Sequence, residues 1–136
     1  MYKESQDQLP IGVKILASVL FLFGLFAFIG SLFMWGEGFL LSFPSGVDYR
    51  FPITDILVNA PASIIAAVGL WQGQKFGYIA SQFVAGFYVY GSVEIFVMVF
   101  QGPPPYALEI LIPQVAATIV AVFLVFYLWR LQRSFR

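Results

Sequence analysis

Cysteine and histidine are both missing from this chain. Their absence excludes disulfides, thiolate nucleophiles, cysteine-based redox chemistry and His-ligated zinc or haem. Charge is nearly as scarce: Asp, Glu, Lys and Arg make up 10% of the 136 residues, and seven basic side chains cancel seven acidic ones. With no dense basic patch, nucleic acid is not an expected partner. Enzyme signatures are lacking too, since no nucleophile elbow, phosphate-cradling glycine loop or metal triad occurs. The chain therefore reads as non-enzymatic, with no cofactor required by its motifs.

What is abundant is apolar surface. Hydrophobic residues make up 60% of the chain, 16 of its residues are Phe, and the mean hydropathy is +0.87. A soluble domain of this size would have to leave much of that surface in water. Lipid is the natural solvent, and the bilayer is the first expected partner. Four apolar runs, at residues 11–35, 53–71, 78–101 and 106–129, are each about as long as the ~20 residues needed to cross the hydrocarbon. The first run is too long for the ~7–15-residue core of a secretion signal and lacks a small-x-small cleavage site, so it reads as a membrane helix. The expected fold is all-α: an antiparallel four-helix transmembrane bundle forming one membrane domain over 1–136.

The connections agree with that topology. Between the second and third spans lies Gln72-Gly73-Gln74-Lys75-Phe76-Gly77, long enough only for an antiparallel hairpin, with Gly73 as the helix cap and Trp71, Lys75 and Phe76 as interface anchors. Consecutive Pro103, Pro104 and Pro105 end the third span. The segment 36–52 is broken by Gly and Pro yet rich in Phe, Leu and Tyr, so an interfacial loop over the mouth of the bundle is expected. Small residues recur along faces: Gly24, Ala27 and Ser31; then Ala62, Ala66, Gly69 and Gly73; then Gly77, Ser81, Ala85 and Ser92. Such faces let helix backbones approach closely, and the second and third are expected to meet across the hairpin.

Six of the seven basic residues, Lys3, Lys14, Lys75, Arg130, Arg133 and Arg136, fall on the side of the termini, against Arg50 alone on the other. That asymmetry predicts cytoplasmic termini. Glu37, Asp48, Asp55 and Glu109 gather on the opposite, outer side.

Inside the spans the polar residues draw attention by depth. At ~1.5 Å per residue, Asn59, Glu94 and Gln114 each lie roughly 9 to 12 Å below the outer ends of their helices. Asp55 and Ser63 flank Asn59 by one turn, Thr118 follows Gln114 by one turn, and Tyr90 precedes Glu94 by one turn. If these faces turn inward, Glu94, Asn59, Gln114, Asp55 and Tyr90 form an outer-half polar cluster. Glu94 carries two readings: a carboxylate that binds a proton or cation, or a hydrogen-bonded clasp between helices. Pro61 and Pro113, at similar depth, are expected to free carbonyls near Leu57 and Glu109 or to kink their helices.

The segment Leu9-Pro10-Ile11-Gly12-Val13-Lys14-Ile15-Leu16-Ala17 and the turn Gly69-Leu70-Trp71-Gln72-Gly73-Gln74-Lys75-Phe76-Gly77 resemble segments that recur in small uncharacterised prokaryotic four-helix integral membrane proteins. The resemblance implies the topology and a prokaryotic inner or plasma membrane, and carries no activity. The chain is similar in size to small multidrug transporters, but their functional carboxylate lies in the first helix, where this chain has none. The expected function is association, as a homo-oligomer or as an accessory subunit of a larger membrane complex. A small proton- or cation-coupled carrier using Glu94 is the alternative. Binding of a lipid, quinone or pigment among the aromatic residues is the second alternative.

Overall fold

A computed structural model describes residues 9–36, 50–101 and 107–135. Among these residues every regular element is helical. Helix α1 is Ile11–Gly36; α2 (Arg50–Thr54), a π-helical turn (Asp55–Asn59) and α3 (Ala60–Trp71) run on as one rod; α4 is Lys75–Gln101 and α5 is Ala107–Arg130. Four stretches are long and apolar enough to cross a membrane: Ile11–Phe33, Pro52–Trp71, Lys75–Gln101 and Leu111–Arg130. The protein is an all-α, four-helix integral membrane protein. The expected loop over 36–52, apart from its two ends, and the prolines at 103–105 lie outside the described residues.

The helix start at the hairpin differs in detail from the sequence reading. The chain reverses within Gln72–Gln74, and α4 begins at Lys75 rather than near 78. The cause is a compact cap. Gly73 takes the left-handed conformation, φ 71°, which glycine adopts without a side-chain penalty. Its N–H donates to the carbonyl of Leu70 (3.1 Å), and that of Gln74 donates to the carbonyl of Gly69 (2.9 Å). This pairing is the Schellman arrangement, which satisfies two of the last carbonyls of α3. Gln74 then accepts the N–H of Gly77 at 3.0 Å and opens the next helix at once.

Gly77 is thereby released from the turn and used for packing. A Cβ built on Gly77 would lie 2.1 Å from the carbonyl carbon of Gly69, and one built on Gly69 would lie 2.4 Å from the Cα of Gly77. The two backbones touch, as the pairing of small faces across the hairpin required. Ala66, Ser81 and Ala85 continue the contact as buried residues. On α1, Gly24 faces the main chain of Ala60 and the Cβ of Ser63, while Ala27 and Ser31 are buried on the same side.

Helix α1 packs along α3, α3 along α4, and α4 along α5, whereas α5 and α1 meet only slightly. Three contacts gather both chain ends and the hairpin on one side of the bundle. Leu9 lies against Gly73, Tyr127 against Gly12, and the Tyr78 ring stacks on Phe135 with centroids 5.6 Å apart. Toward this terminal side the core is mostly apolar, centred on Val13, Leu20, Leu70, Val84, Leu124 and Leu128. Toward the opposite side the interior turns polar.

The π turn sets up that polar half. Pro61 has no N–H for the carbonyl of Leu57, and its ring crowds that carbonyl. The chain responds by widening the preceding turn, and the N–H of Ala60 reaches the carbonyl of Asp55, five residues back. Proline was expected to free a carbonyl or kink the rod; the widened turn is the form this takes. Pro113, by contrast, sits within an uninterrupted α5.

Candidate functional site

Asp55, Asn59 and Ser63 follow at four-residue spacing, so they stack on one face of the second span. Their side chains form a ladder. Asn59 Nδ2 donates to Asp55 Oδ1 at 2.8 Å, and Ser63 Oγ donates to Asn59 Oδ1 at 3.1 Å. Ser63 Oγ also lies 3.1 Å from the hydroxyl of Tyr88 on α4. Because the Ser63 proton is committed to Asn59, the Tyr88 hydroxyl donates to Ser63. Every donor in the series then points toward the Asp55 carboxylate. Ser63 is fully buried, Tyr88 nearly so, and the Tyr88 ring leans on Phe23 of α1 at 6.0 Å between centroids.

Tyr88 is also where a second cluster begins, through its main chain. Its carbonyl accepts the hydroxyl of Ser92 at 2.7 Å and the amide of Gln114 from α5 at 3.2 Å. Gln114 Nε2 reaches Ser92 Oγ at 2.8 Å, and the Ser92 and Thr118 hydroxyls lie 2.6 Å apart. Thr118 in turn donates to the main-chain carbonyl of Gln114 at 2.8 Å. Further toward the terminal side, Gln82 Nε2 donates to the carbonyl of Leu124 at 2.8 Å and ties α4 to α5 again.

The structure thus divides the five sequence candidates into three groups. Asp55 and Asn59 belong to the ladder, and Gln114 belongs to the α4–α5 clasp. Tyr90 and Glu94 belong to neither, with the Tyr90 hydroxyl donating to Glu94 Oε1 one turn away on α4. The buried face of α4 carries Ser81, Val84, Ala85, Tyr88, Ser92 and Ile95. At 100° per residue, Tyr90 lies about 160° and Glu94 about 120° around the helix from Tyr88. Tyr90 is accordingly 62% exposed and Glu94 half-buried.

Chemically, the inner groups are saturated with one another. No fully buried side-chain nitrogen or oxygen among the described residues lacks a hydrogen-bond partner. Hydroxyls and carboxamides paired in this way hold helices together. Among the described residues no three acidic side chains come together as a metal site.

Sequence reasoning did not identify Tyr88 or Gln82 as contributors. Tyr88 is one of seven tyrosines, and only its place three residues after Ala85 and four before Ser92, on the stripe that begins with Gly77 and Ser81, hints that it faces inward. Comparison of the chain with family models, with curated proteins and with solved structures finds no match.

Proposed function

We propose that this protein is a non-enzymatic membrane component that works by lateral association, as a homo-oligomer or as an accessory subunit of a larger complex. One observation carries the reading: the Tyr90–Glu94 pair lies off the buried face of α4, Tyr90 exposed and Glu94 half-buried, within a membrane-spanning helix. A carboxylate within a membrane helix is costly, up to ~2.5–3.5 kcal/mol at its centre on insertion scales, and such groups almost always face protein or a water-filled cavity. Another polypeptide against this face of α4 supplies that environment. Between 22% and 33% of each span's most apolar stretch is buried inside the chain, so ample surface is left for neighbouring helices.

The termini face the cytoplasm in this proposal, by the distribution of Lys and Arg. Glu94 then lies in the outer half of the membrane, six residues or about 9 Å beyond the middle of α4.

The test is stoichiometry in native bilayer patches excised by polymer without detergent. Wild-type protein is expected in particles with more than one polypeptide, and Glu94→Leu is expected to release the single chain. A wild-type particle holding one copy and no other protein overturns the proposal.

A further inference from the structure

A groove of about 420 Å³ runs along the outside of the bundle between α1 and α3. Its floor is small, made by Ala17, Ser18 and Ala67, and its walls are large, made by Phe21, Leu22, Val68 and Trp71. Substituting small for large residues at the crossing of two helices is what opens the space. Its volume falls in the ~300–1,000 Å³ range of small-molecule sites. The lining offers a guest almost nothing polar, because the one hydroxyl, that of Ser18, donates to the main-chain carbonyl of Lys14 at 3.0 Å. An apolar chain is the shape and chemistry that fits.

The end of the groove identifies the rest of the guest. Residues 14, 17, 18, 21 and 22 follow at i, i+3, i+4, i+7 and i+8, so Lys14 continues the groove-lining stripe of α1 by one turn toward the terminal side. Lys14 is exposed and lies one turn inside the start of α1, where its ammonium reaches the headgroup layer. Trp71, at the same end of α3, is 55% exposed and suits the membrane–water boundary. The stripe therefore passes from apolar to cationic where a phospholipid passes from acyl chain to phosphate. The chain's own N-terminal Met1-Tyr2-Lys3-Glu4-Ser5-Gln6-Asp7-Gln8 is too polar to fill such a groove.

We propose that this groove seats one acyl chain of an anionic phospholipid from the terminal-side leaflet, with Lys14 meeting its phosphate. The reading does not depend on the association proposed above, which concerns the opposite half of the membrane and a different helix.

Trp71 reports on the groove directly. In a Trp35→Phe, Trp129→Phe background the full chain is reconstituted in phosphatidylcholine vesicles and titrated with brominated phosphatidylglycerol or brominated phosphatidylcholine. Saturable quenching by the anionic lipid is expected at about fivefold lower mole fraction than by the zwitterionic one, the factor contributed by one lysine near a bilayer surface. Lys14→Gln, an exposed change, is expected to bring that ratio to about one. Ser18→Phe, which fills the floor, is expected to reduce quenching by both lipids, with far-UV circular dichroism confirming its helices. Equal quenching by the two lipids in the starting protein, or a ratio untouched by Lys14→Gln, overturns the proposal. Unaltered quenching in a folded Ser18→Phe protein overturns it as well, by placing the lipid elsewhere.

Discussion

Gly77 and Tyr88 show how much of this bundle rests on single side chains, or on the lack of one. At Gly77 an added methyl would collide with backbone, which cannot rotate away as a side chain can. Gly77→Ala is expected to cost about 1–3 kcal/mol, the usual range for overpacking. Reversible unfolding in mixed micelles measures it, and a cost within error of zero would mean that the hairpin separates easily. Tyr88 joins three helices through different atoms: its ring meets α1, its hydroxyl meets the second span, and its carbonyl meets α5. Tyr88→Phe removes only the hydroxyl bond. A loss of about 0.6 kcal/mol, and no more than about 1.7, is expected from the worth of interhelical hydrogen bonds in membranes. Ser63→Ala deletes that same link and the bond to Asn59 besides, so it should cost less in the Tyr88→Phe background than in wild type, by about the worth of the shared bond.

At the scale of the element, the π turn of the second span is the decisive device. It inserts one residue into the face before Pro61, which rotates everything on its outer side by about 100° relative to an unbroken α-helix. Asp55, Asn59 and Ser63, four residues apart, share one face with or without it, so the extra residue changes where the far end of that face points relative to α3. Pro61→Ala restores an N–H for the carbonyl of Leu57, and the turn is expected to revert to α-helix. The turns of the rod before Pro61, Asp55 included, would then rotate relative to α3 and α4. Because the chain has no cysteine, a single Asp55→Cys serves as a clean reporter. Its maleimide labelling rate is expected to change several-fold when Pro61→Ala is added; an unchanged rate would show that packing, rather than the proline, holds the turn open. The hairpin is a second such device. Gly73→Ala must hold an L-residue at φ 71°, at a cost of about 1–2 kcal/mol, measurable in the same unfolding assay.

At the scale of the whole molecule, the bundle is a chain-ordered row of helices whose ends meet only slightly. Its terminal-side half is packed with apolar side chains, and its outer half is tied by two hydrogen-bonded clusters that share Tyr88. Both chain ends and the hairpin come together on one face, so their common sidedness is a single question. A Gln132→Cys protein in intact cells is expected to resist a membrane-impermeant maleimide and to react after lysis, in keeping with cytoplasmic termini. Labelling in intact cells would invert the orientation for every loop at once, and with it the leaflet that faces Lys14.

Much of this was legible in the sequence for a local reason. Whether a segment enters a bilayer depends on its length and hydropathy, and whether it turns back depends on a residue such as Gly73, so spans, hairpin and small-residue contacts follow from neighbouring residues alone. The rotation of each helix about its own axis does not. In lipid the outside of a bundle is as apolar as its core, and the amphipathic stripe that orients a soluble helix is missing. Glu94, Asn59 and Gln114 share a depth, which counting residues determines. That Asn59 and Gln114 turn inward to different partners while Tyr90 faces away from the buried side of α4 with Glu94 half-buried beside it was decided only by tertiary packing, which sets how each helix is rotated about its own axis.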